Sequence, residues 1–201
     1  NDEAANVVAA INGNFMRASG RYEDQQAIEG DGANEPLGVR QTGSPQGDIS
    51  DVTDTLTKAG VTMAEIINAW SELPAQFRDG AIWHITSSFF GTLCGIESTN
   101  GGVTFLRELT QSPTRTLMGN RVVMFDGTGW DSGALSLGSN AEVGCFGNFR
   151  DYYYFIDRVG MSVRRDDSRY ADTDQVLFKA RKRYDSLFAE NNAFRILKAA
   201  T

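Results

Sequence analysis

A single histidine, His84, stands in the chain. A lone imidazole cannot build the multi-histidine metal motifs, which need several ring nitrogens converging on one ion. One histidine would suffice for a Ser-His-Asp arrangement, but no GxSxG elbow presents a serine on a strained strand-to-helix turn. His84 lies inside the apolar run AIWHIT (Ala81 to Thr86), where a packed or hydrogen-bonded structural side chain is expected. Gly30-Asp31-Gly32 has the look of a phosphate loop, yet it follows a helical stretch. A nucleotide loop must instead follow a strand and open a helix, so that backbone amides point at phosphate. No Gly-Lys dipeptide supplies a P-loop lysine. The adjacent acids Glu23-Asp24 and Asp166-Asp167 lack the spacing of a calcium loop and read as solvated faces. No catalytic residue, metal ligand or cofactor is therefore expected.

One constellation of charge stands apart. Along Gln175 to Tyr184 (QVLFKARKRY), strand alternation puts Lys179, Arg181 and Arg183 on one face and Val176, Phe178 and Ala180 on the other. Lys182 breaks the apolar face. Arg164 and Arg165 add charge on a nearby segment. A solvated outer face, a contact with another subunit and direct binding of DNA all fit such a row. The formal charge of −7 and pI near 4.8 weigh against DNA, because the chain lacks the positive field that drives nucleic-acid binding.

These residues need a scaffold, and 201 residues are enough for one large domain or two small ones. Hydrophobic residues at 41% and charged residues at 22% are ordinary for a globular protein. No apolar run approaches the roughly 18–20 residues that span a bilayer, and NDEAANVVAA has no basic region followed by an apolar one. The chain is expected to be soluble and not exported. It starts at Asn1 without a methionine, inside a helical pattern, which suggests a fragment. Cys94 and Cys145 lie in apolar surroundings without CxxC spacing, so reduced, buried thiols are expected.

Val8, Ile11, Phe15, Ala18 and Tyr22 recur at steps of three and four, which places them on one stripe of a helix predicted over Ala5 to Ile28. Gly30 and Gly32 stop it. Gly13 and Gly20 inside it suggest close approach by another backbone. Thr62 and Glu65 form a capping box for a helix carrying Met63, Ile66, Ile67 and Trp70, which Pro74 closes. AIWHIT is a strand, and Ser87 or Ser88 caps a short helix ended by Gly95. Asn120 to Phe125 is a strand, and TGWDSGALSLGSNAE is a surface loop. Phe146 to Asp157, Met161 to Arg165, Gln175 to Tyr184 and the final NAFRILKAA are predicted to be mostly β. No internal repeat appears.

The run VGCFGNFRDYYYFIDRVGMSVRRDD, followed by DQVLFKARKRYDSLFAENNAFRILKAA, resembles the C-terminal signature of tailed-bacteriophage major capsid proteins of the Hong Kong 97 fold. Glu29 to Gly38 (EGDGANEPLG) resembles the family's turn after its spine helix. AIWHITSSFFGTLCGI and LMGNRVVMFD are similar to a strand-and-helix segment and a strand that follow in the family order. The resemblance implies an α+β fold with two domains. A peripheral domain, of spine helix and long antiparallel strands, would take residues 1–51 and 149–189. An axial domain, a sheet flanked by helices, would take 52–148 and 190–201. The family's N-terminal arm and extended loop have no counterpart here, again suggesting a fragment. The implied function is that of a structural shell subunit, not an enzyme, assembling in the bacterial host cytoplasm into the capsid of a virion. Its implied partners are copies of itself in pentamers and hexamers and other phage structural proteins. Packaged double-stranded DNA would be an indirect partner, with no membrane. Arg164, Arg165, Lys179, Arg181 and Arg183 are then candidate intersubunit contacts. Two other readings are a shell subunit of an encapsulin-like compartment, and an α+β enzyme with a site around His84, Asp126 and Asp151.

Overall fold

The computed structural model describes residues 2–40, 53–56, 61–94, 115–125, 129–131, 142–173 and 175–199. In chain order the elements are α1 (Asp2–Glu29), β1 (Thr53–Leu56), α2 (Met63–Glu72), α3 (Ala75–Arg78), β2 (Ile82–Ile85) and α4 (Ser87–Cys94). There follow β3 (Thr116–Leu117), β4 (Asn120–Met124), β5 (Glu142–Gly147), α5 (Phe149–Tyr152), β6 (Tyr153–Asp166), β7 (Leu177–Phe188) and β8 (Phe194–Ala199). Six strands form a mixed sheet in the order β1-β8-β5-β2-β4-β3, and β6 and β7 form a separate antiparallel pair. Within the large sheet β1 and β8 are parallel, as are β2 and β4; the other neighbours are antiparallel.

The core sits on the central strands. Every residue of β5 is buried, which a strand covered on both faces permits only if its side chains are apolar, small or paired. Trp83 on β2 is opposite Phe146 on β5, and the rings stack with centroids 4.2 Å apart. The Trp83 indole N–H finds the Leu117 carbonyl at 2.9 Å, as a buried donor must. Gly144 and Gly147 keep β5 close to its neighbours: a Cβ on Gly144 would meet the His84 carbonyl at 2.5 Å.

Helix α2 begins as predicted. The Thr62 amide donates to Glu65 at 2.7 Å and the Glu65 amide to the Thr62 hydroxyl at 3.4 Å, completing the box. Its buried stripe is Ile66, Ala69 and Leu73, whereas Ile67, part of the predicted apolar spacing, is 41% exposed. The cap of α4 is Thr86, whose hydroxyl accepts from the Phe89 amide, and not Ser87 or Ser88. Gly95, the predicted stop, lies outside the described residues.

Helix α1 ends where expected, and the reason is a backbone return. The amides of Gly30, Val39 and Arg40 donate to the carbonyls of Gln26, Ala27 and Ile28 at 2.8–3.0 Å, satisfying acceptors that a helix C-terminus leaves open. The predicted stripe is covered only in its first half. Val8, Ile11 and Phe15 are half-buried, but Ala18 and Tyr22 are exposed, and the buried side continues through Ser19, Glu23 and Gln26. In this second half Glu23 pairs with Lys182 and Ile28 enters the core, and the ion pair is a contact that an apolar periodicity cannot detect. Gly13 and Gly20 have no atom within 4 Å of a Cβ position, so the expected close backbone approach is not made among the described residues.

Two further expectations are corrected. The predicted strand Phe146 to Asp157 is interrupted by α5, because Asn148 caps a helical turn. Its side-chain oxygen accepts from the Asp151 amide while its Nδ2 reaches the Asp79 carbonyl at 2.7 Å. Trp130, placed in a surface loop, is buried at 4% exposure.

Candidate assembly surface

Strands β6 and β7 form a long two-stranded ribbon. Its register sets Tyr154 opposite Leu187, Ile156 opposite Asp185, Val159 opposite Arg183, Ser162 opposite Arg181 and Arg164 opposite Lys179. Residues directly opposite share a face, so these pairs define one side of the ribbon. The irregularities at Asp157 to Ser162 realign β6 against β7 and preserve that sidedness.

The other side faces the body. Lys182, which interrupts the apolar alternation of β7, turns inward: its ammonium lies 2.7 Å from Glu23 of α1 and 3.5 Å from Asp157. Burial works against the Glu23 carboxylate, but hydrogen bonds from Lys182 and Ser19 and the Lys182 charge outweigh it and hold its pKa below the ordinary value. The same hydrogen bond raises the pKa of Lys182. Phe155 stacks on Tyr184 beside it, and the Ser186 hydroxyl donates to the Leu37 carbonyl at 2.8 Å. Burial, with Tyr22, Glu23 and Glu35 nearby, pushes the Tyr184 phenol up to about 12. Sequence alternation singled out Lys182 only as an exception. Its partner is 159 positions away, and no local signal reveals it.

The structure brings four of the five singled-out cations together. Lys179, Arg181 and Arg183 alternate along the outward side of β7, all exposed, and Arg164 joins them across the pair. None of the four has an ion-pair partner among the described residues. Arg165 is not part of the group. It stands opposite Phe178 and binds Asp167 at 2.6 Å. Beside the cations the outward side carries apolar residues: Tyr154 and Ile156, which the sequence reading assigned to β structure without assigning a face, and Val159 and Leu187, which lie between its predicted strands. Tyr154, Ile156, Val159 and Leu187 are 49%, 51%, 43% and 40% exposed. The face is thus apolar toward one end and basic toward the other.

The polar groups considered for catalysis are placed elsewhere. The Trp130 indole N–H donates to His84 Nδ1 at 3.0 Å, and the ring is flanked by Phe125 and Phe149. Burial drives the His84 pKa down to about 4. A cavity of about 420 Å³ adjoins it, lined mostly by apolar side chains of α1, β2 and β4, with Asp24 the carboxylate at its edge. Asp151 does not line that cavity; it belongs to the capping turn of Asn148. Asp126 lies outside the described residues. Among the described residues no three His, Cys, Asp or Glu side chains are grouped to hold a metal ion, and no helix is long and apolar enough to cross a membrane. Cys145 is buried, with its thiol pKa raised by burial, whereas Cys94 is only partly covered.

Three comparisons bear on this arrangement. No curated protein matches the sequence. Among solved structures, the capsid of an empty GTA particle superposes with a TM-score of 0.77 at 20% identity, over 97% of this chain and 67% of that one. The capsid of the native GTA particle gives 0.74 at 21% identity, over 97% and 66%, and Gordonia phage Cozz 0.62 at 14%, over 98% and 64%. The chain therefore spans about two thirds of the length of these structures. At such identities the likeness is one of fold, and it bears out the α+β Hong Kong 97-type reading. The model of the phage capsid family matches residues 1–199, so that this chain belongs to the phage capsid family, a family of structural shell proteins.

Proposed function

We propose that the chain is the shell-forming part of a major capsid protein, which self-associates into pentamers and hexamers enclosing double-stranded DNA. The carrying observation is the outward side of the β6–β7 ribbon. Four exposed apolar side chains adjoin four cations that have no ion-pair partner among the described residues, on the exposed side of the ribbon. Contiguous exposed apolar surface of this kind marks association sites, and repeated interfaces in a closed shell need no catalytic group. Arg164, Lys179, Arg181 and Arg183 are then contacts between subunits, with Arg165 in a local ion pair at the ribbon's end. Likeness to capsids of GTA particles and a phage supports a phage-type particle, with assembly in the host cytoplasm and residence in the virion.

The proposed domain division is 1–51 with 149–189 against 52–148 with 190–201. In its favour, β6 and β7 pair with each other alone, whereas the six-stranded sheet draws all its strands from the second set. No enzymatic role is proposed, because His84 is engaged in packing and Asp151 in capping. The test combines Lys179→Glu, Arg181→Glu and Arg183→Glu in the full-length protein. Shell yield by electron microscopy should collapse while thermal melting of the unassembled protein stays within a few degrees, since exposed charges contribute little to folding. Normal shells would return this face to solvent.

A further inference from the structure

The charges of the ribbon have a counterpart on the same chain. Between Tyr22 and Val39 there are five carboxylates and no lysine or arginine, and between Gln175 and Tyr184 there are four cations and no carboxylate. Glu23 is consumed by Lys182. Of the rest, Glu29, Asp31 and Glu35 lie at the exposed end of α1 and on the fully exposed turn 31–35, without an ion pair among the described residues. That turn is held in a fixed shape: the Asp31 carboxylate accepts from the Ala33 amide at 2.9 Å, and Asp31 bridges to Leu37. Both surfaces are therefore preformed. On β7, Lys179, Arg181 and Arg183 repeat roughly 6.6 Å apart along the strand, a spacing that lets each meet a separate carboxylate.

We infer that the acidic end of α1 in one copy docks on the basic outward side of the β6–β7 ribbon of another copy. Glu29, Asp31 and Glu35 would face Lys179, Arg181, Arg183 and Arg164. The inference rests on the shell reading above and names which surface the ribbon meets. Within one copy Glu35 and Arg183 line the same cavity of about 640 Å³, so the two surfaces adjoin; a contact between these unlike surfaces of two copies is heterologous, the type that propagates around rings and into shells instead of closing a dimer. Nucleic acid is the less suitable occupant, because Asp185 and Asp166 stand on the same side at either end of the cation row and the whole chain is acidic. The exposed Tyr154, Ile156, Val159 and Leu187 continue the same side, giving the docked contact an apolar part beside its ionic one.

The experiment is a charge swap in the full-length protein, read as shells counted by electron microscopy. The ribbon set is Lys179→Glu, Arg181→Glu and Arg183→Glu. The turn set is Glu29→Lys, Asp31→Asn and Glu35→Lys, where asparagine keeps the acceptor for Ala33. Either set alone should lower shell yield at least roughly tenfold, because like charges then face each other across the contact. The two sets together should restore shells to within about threefold of the unchanged protein, since the pairing is re-created with its sign inverted. Normal shells from the turn set alone, or no rescue by the combined sets, would overturn the inference while leaving the ribbon as an interface. Normal shells from the ribbon set would overturn the shell-contact reading as well. Melting of each unassembled protein checks the fold. Should a reversed set fail to melt cooperatively, Lys179→Gln with Arg181→Gln and Glu29→Gln with Glu35→Gln provide a milder cycle. There, each pair of changes should weaken assembly and the four together should weaken it no further; independent, additive losses would count against the contact.

Discussion

Lys182 Nζ lies 2.7 Å from a Glu23 carboxylate oxygen, and this ion pair fastens β7 to α1. Both side chains are less than one-fifth exposed, so removing one leaves the other partly desolvated and without its strongest partner. Lys182→Met should destabilise the fold by about 1–3 kcal/mol, between the values for surface and buried pairs. Adding Glu23→Gln should recover part of the loss, because the largely buried carboxylate is gone and only the half-exposed Asp157 loses its partner. Denaturant unfolding of the two single variants and the double variant measures this. Strict additivity would mean that the pair holds nothing together.

Arg40 joins the return segment after α1 to the large sheet. Its guanidinium donates to the Gly129 carbonyl and to the carboxylates of Glu142 and Asp131, and it lies 5.9 Å from the centre of the Trp130 ring. Glu142 is nearly buried and keeps only Lys198, at 3.5 Å, if Arg40 is lost. Arg40→Ala should therefore cost about 2–4 kcal/mol, and Arg40→Lys should recover less than half, because an ammonium cannot reach three acceptors in a fork. Equal stability of the lysine variant and the unchanged protein would show that only charge matters here.

What could be read from the sequence is what local spacing determines. The capping box of Thr62 and Glu65 and the alternation of Lys179, Arg181 and Arg183 follow from residues within one turn or one strand. The interruption of the predicted strand after Gly147 is hidden from the sequence because Asn148 is held by Asp79, 69 positions away. Trp130 looked like loop residue because its burial depends on His84, 46 positions off. The exposed Tyr154 and Ile156 illustrate the other limit. Aromatic and β-branched residues indicate a strand, but a two-stranded ribbon covered on one face leaves the other open, and that depends on where the body lies. Half of the candidate surface was therefore legible through its charge, while its apolar half and the split between Arg164 and Arg165 required the pairing register.

The return of the chain after α1 leaves no room for side chains at two positions. A Cβ on Gly30 would lie 2.0 Å from the Pro36 carbonyl oxygen, and one on Gly38 would lie 2.5 Å from the Gly30 nitrogen and the Ile28 oxygen. These obstacles are backbone atoms, so relief requires moving the turn. Gly38→Ala should lower the melting temperature by at least about 8 °C, equivalent to roughly 2–3 kcal/mol for a chain of this size. Gly13→Ala serves as the contrast. Its Cβ meets nothing within 4 Å, and alanine should stabilise the helix by up to about 1 kcal/mol. A Gly38→Ala protein as stable as the original would show that the turn is not held as described.

His84 provides a pH test. Its Nδ1 accepts the Trp130 N–H, Phe125 and Phe149 lie against the ring, and Asp24 reaches the edge of the adjoining cavity. Burial lowers its pKa from 6.5 to about 4, so the folded protein keeps the ring neutral where an unfolded chain would already take up a proton. The sign follows from linkage. Stability from the neutral, packed ring is complete above about pH 6.5 and is lost progressively as the pH falls to about 4, an amount on the order of 3 kcal/mol. His84→Gln removes this titration, although the variant starts from lower stability because its packing is altered. Carboxylates such as Glu23 titrate in both proteins, so the difference between their stability curves isolates the histidine. Urea unfolding followed by circular dichroism at half-unit steps from pH 7 to pH 4 should show the unchanged protein losing about 3 kcal/mol more than His84→Gln across that interval. Parallel curves would mean that His84 takes up its proton in the fold as readily as in water, and the Trp130 hydrogen bond would then not hold the ring neutral.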